Sequence, residues 1–223
     1  MIRKRLAAGI RAAVLAAVLG AVMGGTAMAA GMAENDRDLV TGPGAQNQTE
    51  EHEQTGTFDV NRFVLPEEAR VLVVVEGTGA SACNAYAFGR GENGWELRMQ
   101  TGGYLGLNGM SNHRTEGDKT TPIGVFQMNT PFGQDAPLEG FPANYIKVDE
   151  TYIWSQDSNR LVRDLSASGE QVGTAGYAEH YDYVIDAGYN RNAVPKAGSA
   201  LFLHCIGQGK TYTSGCVSIP KEE

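Results

Sequence analysis

Short apolar runs separated by glycine, proline and polar residues dominate the chain from residue 58 onwards. The run at 71–75 contains only valine and leucine, which predicts a buried strand. The same reasoning predicts further strands at 82–88, 95–99, 124–128, 145–148, 151–154, 183–185, 200–204 and 217–219. A hairpin loop is predicted at 89–94, which reads GRGENG, and a short helix is expected at 160–165. Many short strands with few short helices predict a mainly β fold, of mixed sandwich or barrel-like type.

The first 29 residues have the three parts of a secretory signal peptide. Met1 to Arg5 is basic, 12–23 is an apolar stretch, and Ala27-Met28-Ala29 is a cleavage site of the A-x-A kind. A membrane span needs about 20 unbroken apolar residues, so the stretch is short for one. We therefore expect cleavage and export to an extracytoplasmic location. Retention of the uncleaved segment as a membrane anchor is the alternative.

Two further regions follow the predicted signal peptide. Residues 30–57 are acidic and polar and show no apolar period, which predicts a disordered spacer. Residues 58–223 are long enough to form one domain with a hydrophobic core. The chain stops at Glu223, directly after the last predicted strand, where a further element is expected. We therefore expect a truncated C-terminus.

The charge of the chain argues against two classes of partner. Removing the four positive residues of the leader takes the formal net charge from −8 to −12. Nucleic-acid binding requires a basic footprint, and anionic lipid also attracts basic segments. The four histidines are scattered without paired spacing, so no metal site is predicted. No cofactor is implied either.

Three cysteines, Cys83, Cys205 and Cys216, leave at least one free thiol. Cys216 is the candidate nucleophile because His204 precedes it by a short Gly-rich connection. Cys83 and Cys205 either pair or stay buried and reduced. Cys205 directly follows His204, so in a strand its side chain points to the opposite face.

A free thiol has a pKa of about 8.5 and needs a base to act as a nucleophile at neutral pH. His204 is the candidate base and later the general acid. The backbone N–H groups of Gly215 and Cys216 are candidates to stabilise an oxyanion. No third acidic member is predicted, since a backbone carbonyl is sufficient to orient the imidazole.

The order of these residues resembles the catalytic signature of the L,D-transpeptidases of the YkuD type. His204 is followed by Thr213-Ser214-Gly215-Cys216, which is similar to the family's His, spacer and Ser/Thr-x-Gly-Cys pattern. Upstream, EGDKTTPIGVF at 116–126 resembles the family's EGD-x-x-TP-x-G-x-F segment. HYDYVI at 180–185 and Tyr189-Asn190 resemble one branch of the family. The resemblance covers roughly residue 69 to the C-terminus.

The resemblance implies a mixed β-sandwich and an enzyme that cross-links peptidoglycan through a cysteinyl thioester. Peptidoglycan stem peptides would be the substrates, at the cell wall or the periplasmic face of the membrane. Carbapenem inhibition and a monomeric state are further expectations. Hydrolysis of the same stems by a carboxypeptidase or amidase is one alternative, and a non-catalytic wall-binding module is another.

The resemblance also marks residues around the predicted nucleophile. Ser214, Tyr183 and Asn190 are expected to line the substrate groove. Many family members have His where this chain has Ser214, and Arg where it has Ser218. The missing Arg would have supplied a fork for a substrate carboxylate. The His113-Arg114 pair and Arg191 are other candidates for gripping carboxylates.

Overall fold

The computed structural model describes the strand at 13–19, residues 60 and 63, and the continuous stretch 65–223. The fifteen strands of this part of the chain are β1 (Ala13–Leu19), β2 (Ala69–Gly79), β3 (Ala82–Gly91), β4 (Gly94–Tyr104), β5 (Met110–Ser111), β6 (Thr121–Pro122), β7 (Gly124–Met128), β8 (Pro131–Gly133), β9 (Ile146–Lys147), β10 (Ile153–Ser155), β11 (Arg160–Val162), β12 (Gly169–Glu170), β13 (Val184–Asp186), β14 (Phe202–Cys205) and β15 (Val217–Ile219). A 3-10 turn, Ala175–Tyr177, accompanies them. No helix within the described residues has the length and apolarity to span a bilayer.

The prediction of a mainly β fold is confirmed, and the strands form a large curled sheet. The strands of this sheet follow the order β7-β1-β2-β3-β4-β15-β14-β13-β8-β9. A three-stranded sheet, β11-β10-β12, and a two-stranded sheet, β5-β6, complete the fold. The strand order places β14 and β15 inside the large sheet, so both are paired on their two edges.

The β2–β3–β4 meander follows the predicted strands. β2 contains the Val-rich run, and Leu72, Val74 and Val75 are almost completely buried. β3 and β4 join through a tight hairpin in which Gly91 pairs with Gly94. The loop predicted at 89–94 is therefore shorter than expected, because the β3–β4 ladder continues to Gly91 and Gly94 and leaves only residues 92 and 93 in the turn.

Strand β1 coincides with part of the predicted signal peptide. It pairs in parallel with β2 and antiparallel with β7. A short apolar run suits a buried strand as well as the apolar region of a leader. Export and cleavage therefore stay predictions, and the predicted spacer at 30–57 lies outside the described residues.

The helix expected at 160–165 is wrong. Residues 160–162 form β11, which pairs antiparallel with β10. Asn159 turns the chain between the two strands with a φ of 49°, a left-handed conformation that Asn tolerates better than most residues. Leu161 then lies opposite the buried Trp154, so tertiary packing outweighs local helix propensity.

The described residues form three apolar clusters, and two of them lie on opposite faces of β14 and β15. One cluster contains Val73, Cys83, Leu105 and Val217. The other contains Phe132, Trp154, Phe202 and Cys216 and extends to the three-stranded sheet. Alternate residues of β14 and β15 contribute to opposite faces, as the two-residue period of a strand requires.

Candidate active site

The pairing of β14 with β15 brings the motif residues together. The two strands are parallel, with Leu203 opposite Val217 and His204 opposite Ser218. Neighbouring positions in such a ladder point to the same side. His204, Cys216 and Ser218 therefore share one face, and all three line the same cavity.

This cavity has a volume of about 490 Å³ and is open to solvent on one side. Its walls come from four parts of the chain: the turn after Arg114, residues 170–181, Ser199 and Ala200 before β14, and the stretch from His204 to Ser218. The polar and titratable side chains that line it are Arg114, Glu116, Lys119, Glu170, Tyr177, His180, Tyr181, Ser199, His204, Lys210, Tyr212, Thr213, Ser214, Cys216 and Ser218.

The Cys216 thiol is held by two backbone groups. It donates a hydrogen bond to the Ala200 carbonyl and accepts one from the Phe202 N–H, both at 3.3 Å. The carbonyl is aimed at the thiol by an unusual backbone, since Ala200 has a φ of 51°. Strained residues of this kind persist only where the surroundings enforce them. Here Asn159 does so, because its side-chain oxygen accepts the Ala200 N–H at 3.1 Å.

The resting thiol is protonated. Burial raises the pKa of Cys216 to about 12, and the charge of Glu170 contributes in the same direction. The Phe202 N–H and the Arg114 charge act in the opposite direction but do not outweigh burial. A thiol in this state is a weak nucleophile, so it needs a base to take its proton as it attacks.

The His204 imidazole is neutral and its tautomer is defined. Burial lowers the pKa of His204 to about 4, against the opposing effect of the Cys205 carbonyl. Its Nδ1 lies 2.8 Å from that carbonyl oxygen, which can only accept. Nδ1 therefore carries the proton and Nε2 is left with a lone pair. The expected orienting carbonyl is thus present, and it belongs to Cys205.

The two predicted catalytic side chains line the same cavity but are not hydrogen-bonded to each other. In the part of the chain that the structure describes, no hydrogen bond joins His204 to Cys216. The imidazole instead packs against the rings of Tyr181 and His180, with centroids 5.5 and 6.1 Å away. Catalytic contacts are often long in an empty site and shorten when substrate binds.

The Thr213–Cys216 turn changes the expected oxyanion site. The Gly215 N–H donates to the Thr213 hydroxyl at 3.0 Å, and that hydroxyl donates to the Cys216 carbonyl at 2.6 Å. The Gly215 N–H is therefore already used inside the turn. The Cys216 N–H remains the candidate donor for an oxyanion. Ser214 is exposed and lies on the rim of the cavity, and its contact with substrate stays a prediction.

Arg114 forms the wall behind the Thr213–Cys216 turn. Its side chain is only 5% exposed and lies 3.6 Å from Asp118. Nη1 also donates to the Thr120 carbonyl. Asp118 is itself the centre of a tight turn, and the Thr115 and Thr120 amides lower its pKa although burial acts to raise it. The EGD segment therefore shapes the site by holding a buried cation.

Glu170 and Tyr181 form a second polar group that the sequence does not reveal. The Tyr181 hydroxyl donates to the Glu170 carboxylate at 2.7 Å. Burial raises the pKa of Glu170, and the Tyr181 hydrogen bond only partly offsets it. The same Tyr181 ring stacks on Tyr177, 4.8 Å away, and contacts His204. No motif points to Glu170, because it reaches the cavity only through β12.

Tyr183 and Asn190, both expected in the substrate groove, are not brought to Cys216. Tyr183 lines a different, mainly apolar groove, where the Lys221 ammonium lies over its ring and its hydroxyl donates to the Ala136 carbonyl. Asn190 uses its side chain to close its own loop, binding the backbone of Val194 and Gly198. Arg191 and His113 are exposed and lie outside the cavity.

The other two cysteines are free and buried. Cys205 points away from the cavity, as predicted, and its thiol lies 3.6 Å from the Tyr183 carbonyl. Cys83 belongs to the apolar cluster on the opposite face of the sheet. Among the residues with described side chains, no group of three His, Cys, Asp or Glu could hold a metal ion.

Comparisons with protein-family models, curated proteins and solved structures find no match for this chain. The resemblance to the L,D-transpeptidases therefore rests on the motif residues alone.

Proposed function

We propose that the chain is a cysteine acyltransferase of the L,D-transpeptidase type that acts on peptidoglycan stem peptides outside the cytoplasm. One observation carries this proposal: three separate parts of the motif border a single cavity around Cys216. They are the EGD turn, the segment that contains His180, and the connection from His204 to Cys216. A histidine and a cysteine that meet by chance would not bring the upstream segment with them.

The first chemical step joins the Cys216 sulfur to a stem-peptide carbonyl. The thiol releases the Ala200 carbonyl, rotates into the cavity and gives its proton to Nε2 of His204. The sulfur attacks the carbonyl carbon of the third, L-configured residue of a tetrapeptide, and the Cys216 N–H stabilises the oxyanion. The C–N bond then breaks, His204 protonates the departing amine, and a thioester remains.

The second step resolves the thioester. An amine of a neighbouring stem attacks the thioester carbonyl, His204 takes its proton, and the C–S bond breaks to restore the thiol. The product is a cross-link between two stems. If water takes the place of the amine, the product is a shortened stem and the enzyme is a carboxypeptidase.

The neutral resting pair suits this scheme. With the Cys216 pKa at about 12 and the His204 pKa at about 4, the thiolate and imidazolium are both scarce at pH 7. Proton transfer therefore accompanies attack on a bound substrate. We expect the free enzyme to react slowly with small neutral alkylating agents and faster with acylating agents that fill the cavity.

Intact-protein mass spectrometry with a carbapenem tests the enzymatic proposal. We expect one adduct, located at Cys216 and missing from a Cys216→Ala variant. A Cys83→Ala variant is the matched control and should still form the adduct. If the wild-type protein forms no adduct at Cys216, the catalytic proposal is refuted and a wall-binding role takes its place.

Analysis of digested peptidoglycan separates transfer from hydrolysis. Incubation with the wild-type protein should produce dimers cross-linked between two third residues, and the Cys216→Ala variant should produce none. If shortened stems accumulate without dimers, the same thioester chemistry ends in hydrolysis and the transferase proposal fails.

A further inference from the structure

Glu170 is a carboxylate on the apolar side of a small sheet. In β12 it lies directly opposite Trp154 of β10, and a Cβ on the preceding Gly169 would overlap the Trp154 carbonyl. Directly opposite residues of an antiparallel pair share a face, so Glu170 points to the same side as the buried Trp154. That side carries the apolar cluster to which Cys216 belongs. A charged group in such surroundings is costly unless it has a partner.

One oxygen of this carboxylate has a partner and the other has none. Oε2 accepts the Tyr181 hydroxyl at 2.7 Å. Among the described residues, no hydrogen bond or ion pair involves Oε1. The side-chain polar atoms of this part of the chain that are sealed without a partner belong to Arg114 and Ser158. Oε1 therefore has accessible surface, in the cavity that Glu170 lines.

The surrounding charges do not supply the missing cation. Burial raises the pKa of Glu170, and the negative charge of Glu116, which lines the same cavity, acts in the same direction. Lys119 and Lys210 also line the cavity, but within the described part of the chain neither forms an ion pair with these carboxylates. A positively charged group of a ligand would therefore find an unpaired carboxylate oxygen here.

Tyr181 lies between Glu170 and the proposed catalytic residues. Its ring contacts the His204 imidazole, with centroids 5.5 Å apart, and it belongs to the same apolar cluster as Cys216. The negative charge of Glu170 also raises the pKa of the Cys216 thiol, more than the charge of any other residue does. The carboxylate therefore lies within electrostatic range of the sulfur that would carry the acyl group.

The second step of the proposed reaction needs a group of this kind. A primary amine such as that of lysine has a pKa of about 10.4, so it is an ammonium ion at neutral pH. Only the uncharged amine can attack a thioester, so the acceptor loses one proton before the attack and a second one during it. The His204 imidazole, with its pKa of about 4, takes the second proton and passes it to the departing sulfur. The first proton needs a different acceptor.

We propose that Glu170 binds the ammonium group of the acceptor stem and accepts its first proton. This inference rests on the proposed function and assigns the acceptor side of the same site. The ammonium donates to Oε1 and transfers one proton to the carboxylate, and the neutral amine forms a C–N bond with the thioester carbonyl carbon. His204 takes the second proton, and the C–S bond breaks as the sulfur receives it. Glu170 then releases its proton to solvent, so one ammonium and one thioester give one amide, one thiol and one proton.

The surroundings of Glu170 favour both parts of this role. Low-dielectric surroundings favour two neutral partners over an ion pair, which assists the proton transfer from the ammonium. Water carries no charge and gains nothing from the carboxylate. Glu170 should therefore give an amine acceptor an advantage over hydrolysis of the thioester.

Two acceptors that differ in charge test this role. Nα-acetyl-lysine amide carries an ammonium group at neutral pH, whereas hydroxylamine is largely uncharged. Each is added to the full chain with a tetrapeptide donor, and mass spectrometry measures the amide or hydroxamate product over time. Glu170→Gln keeps the shape of the side chain and removes its charge. We expect the rate at low concentrations of the lysine derivative to fall at least about tenfold, and the hydroxylamine rate to change by less than about twofold.

Two further variants separate this role from packing. Tyr181→Phe keeps the ring and removes the hydroxyl that holds Oε2, so transfer to the lysine derivative should fall by about two- to fivefold. Glu150→Gln changes an exposed glutamate outside the cavity and is the matched control, with wild-type rates for both acceptors. Circular dichroism checks that each variant is folded. Wild-type transfer to the lysine derivative by Glu170→Gln, or an equal loss with both acceptors, would refute the inference.

Carbapenem acylation separates this inference from the proposed function. Loss of the negative charge near the thiol favours the thiolate, so Glu170→Gln should form the Cys216 adduct at least as fast as the wild-type protein. A slower adduct would place the carboxylate in the first step and refute the acceptor role. If the wild-type protein forms the adduct but transfer to the lysine derivative does not depend on Glu170, the acceptor role is refuted and the enzyme stands. If the wild-type protein forms no adduct, both are refuted.

Discussion

Cys83 and Cys216 are both buried, but the surroundings of their thiols differ. Burial raises the pKa of each to about 12. Cys83 lies in an apolar cluster with Val73, Val75 and Leu105. Cys216 instead forms two hydrogen bonds to backbone groups and faces a cavity that also holds a histidine and an arginine.

This difference shows that burial alone does not identify a nucleophile. Desolvation protonates both thiols and makes both unreactive towards solvent. Cys216 differs from Cys83 in its neighbours: His204 could take the thiol proton, and polar groups of the cavity could stabilise charge on a substrate. The predictions below test whether those neighbours, rather than the thiol itself, separate the two sites.

The largest effect is expected from removing each sulfur in turn. Cys216→Ala should lower acyl transfer by at least about 10³-fold, because the covalent intermediate is lost. Cys83→Ala should leave the rate per folded molecule within about twofold, since it only leaves a small void in the core. Dimer formation from purified stems, normalised to the folded fraction, measures both. A Cys83→Ala variant that stays folded but loses activity would contradict the comparison.

The second largest effect is expected from His204→Gln, which should affect the reactivity of Cys216 and not that of Cys83. We expect acylation at Cys216 to slow by about 10²–10⁴-fold, because the general base is lost. Carbapenem adduct formation followed over time measures the rate. Ser218→Ala, a change on the same face that removes no base, is the matched control and should retain most of the rate. An equal loss in both variants would indicate disturbed packing.

The same His204 variant predicts a change in stability with pH. The folded-state pKa is lowered from 6.5 to about 4, so the unfolded chain takes up the proton first as the pH falls. Stability is therefore full above pH 6.5 and declines towards pH 4, by about 3 kcal/mol. His204→Gln should flatten this decline in urea unfolding curves. An unchanged slope would show that the imidazole is not buried as described.

Asn159 holds the backbone of Ala200, whose carbonyl accepts the hydrogen bond of the Cys216 thiol. The Asn159 side chain accepts from the Trp154 indole and from Ala200, and it donates to the Tyr189 and Asn190 carbonyls. Asn159→Ala leaves these buried groups unpaired, so we expect a loss of about 2–4 kcal/mol in unfolding free energy. Asn129→Ala, at a position outside this network, should cost less than about 1 kcal/mol. Denaturant unfolding distinguishes the two.

The smallest effect comes from the glycines next to each cysteine. Gly103→Ala would press against the Ser218 carbonyl and the Cys83 thiol. Gly215→Ala would displace Arg114 and strain a backbone with φ of 139°. Each should cost about 1–3 kcal/mol. Only Gly215→Ala should also slow acylation of Cys216 by a carbapenem, because it displaces Arg114 from the cavity wall. An equal slowing in both variants would contradict the comparison.

The sequence alone allows much of the sheet to be predicted but little of the cavity wall. The run at 124–128 is the strand β7 residue for residue, because prolines at 122 and 131 mark the limits of the segment on both sides. The helix predicted at 160–165 is wrong, because the pairing of residues 160–162 with β10 depends on residues outside the segment. The residue pattern of a strand can be recognised within the strand itself. Whether a short segment forms a helix or an edge strand depends on contacts with the rest of the fold.

The site residues divide in the same way. His204 and Cys216 can be found from spacing, because two parallel neighbouring strands align them. Tyr181 lines the cavity whereas Tyr183 lies in another groove, and the bends at 181–183 that separate them leave no mark in the composition. Glu170 arrives through the three-stranded sheet, so only the assembled fold reveals it.

The side-by-side alignment of β14 and β15 has a consequence for how this protein can diversify. The sheet fixes the positions of His204 and Cys216, and the bonds from Ile206 to Ile219 and from Thr213 to Leu105 close the connection at both ends. The exposed stretch at 208–212 between these anchors carries no part of that alignment. Insertions or substitutions at 208–212 should therefore change which molecules enter the cavity, while His204 and Cys216 keep their relative positions.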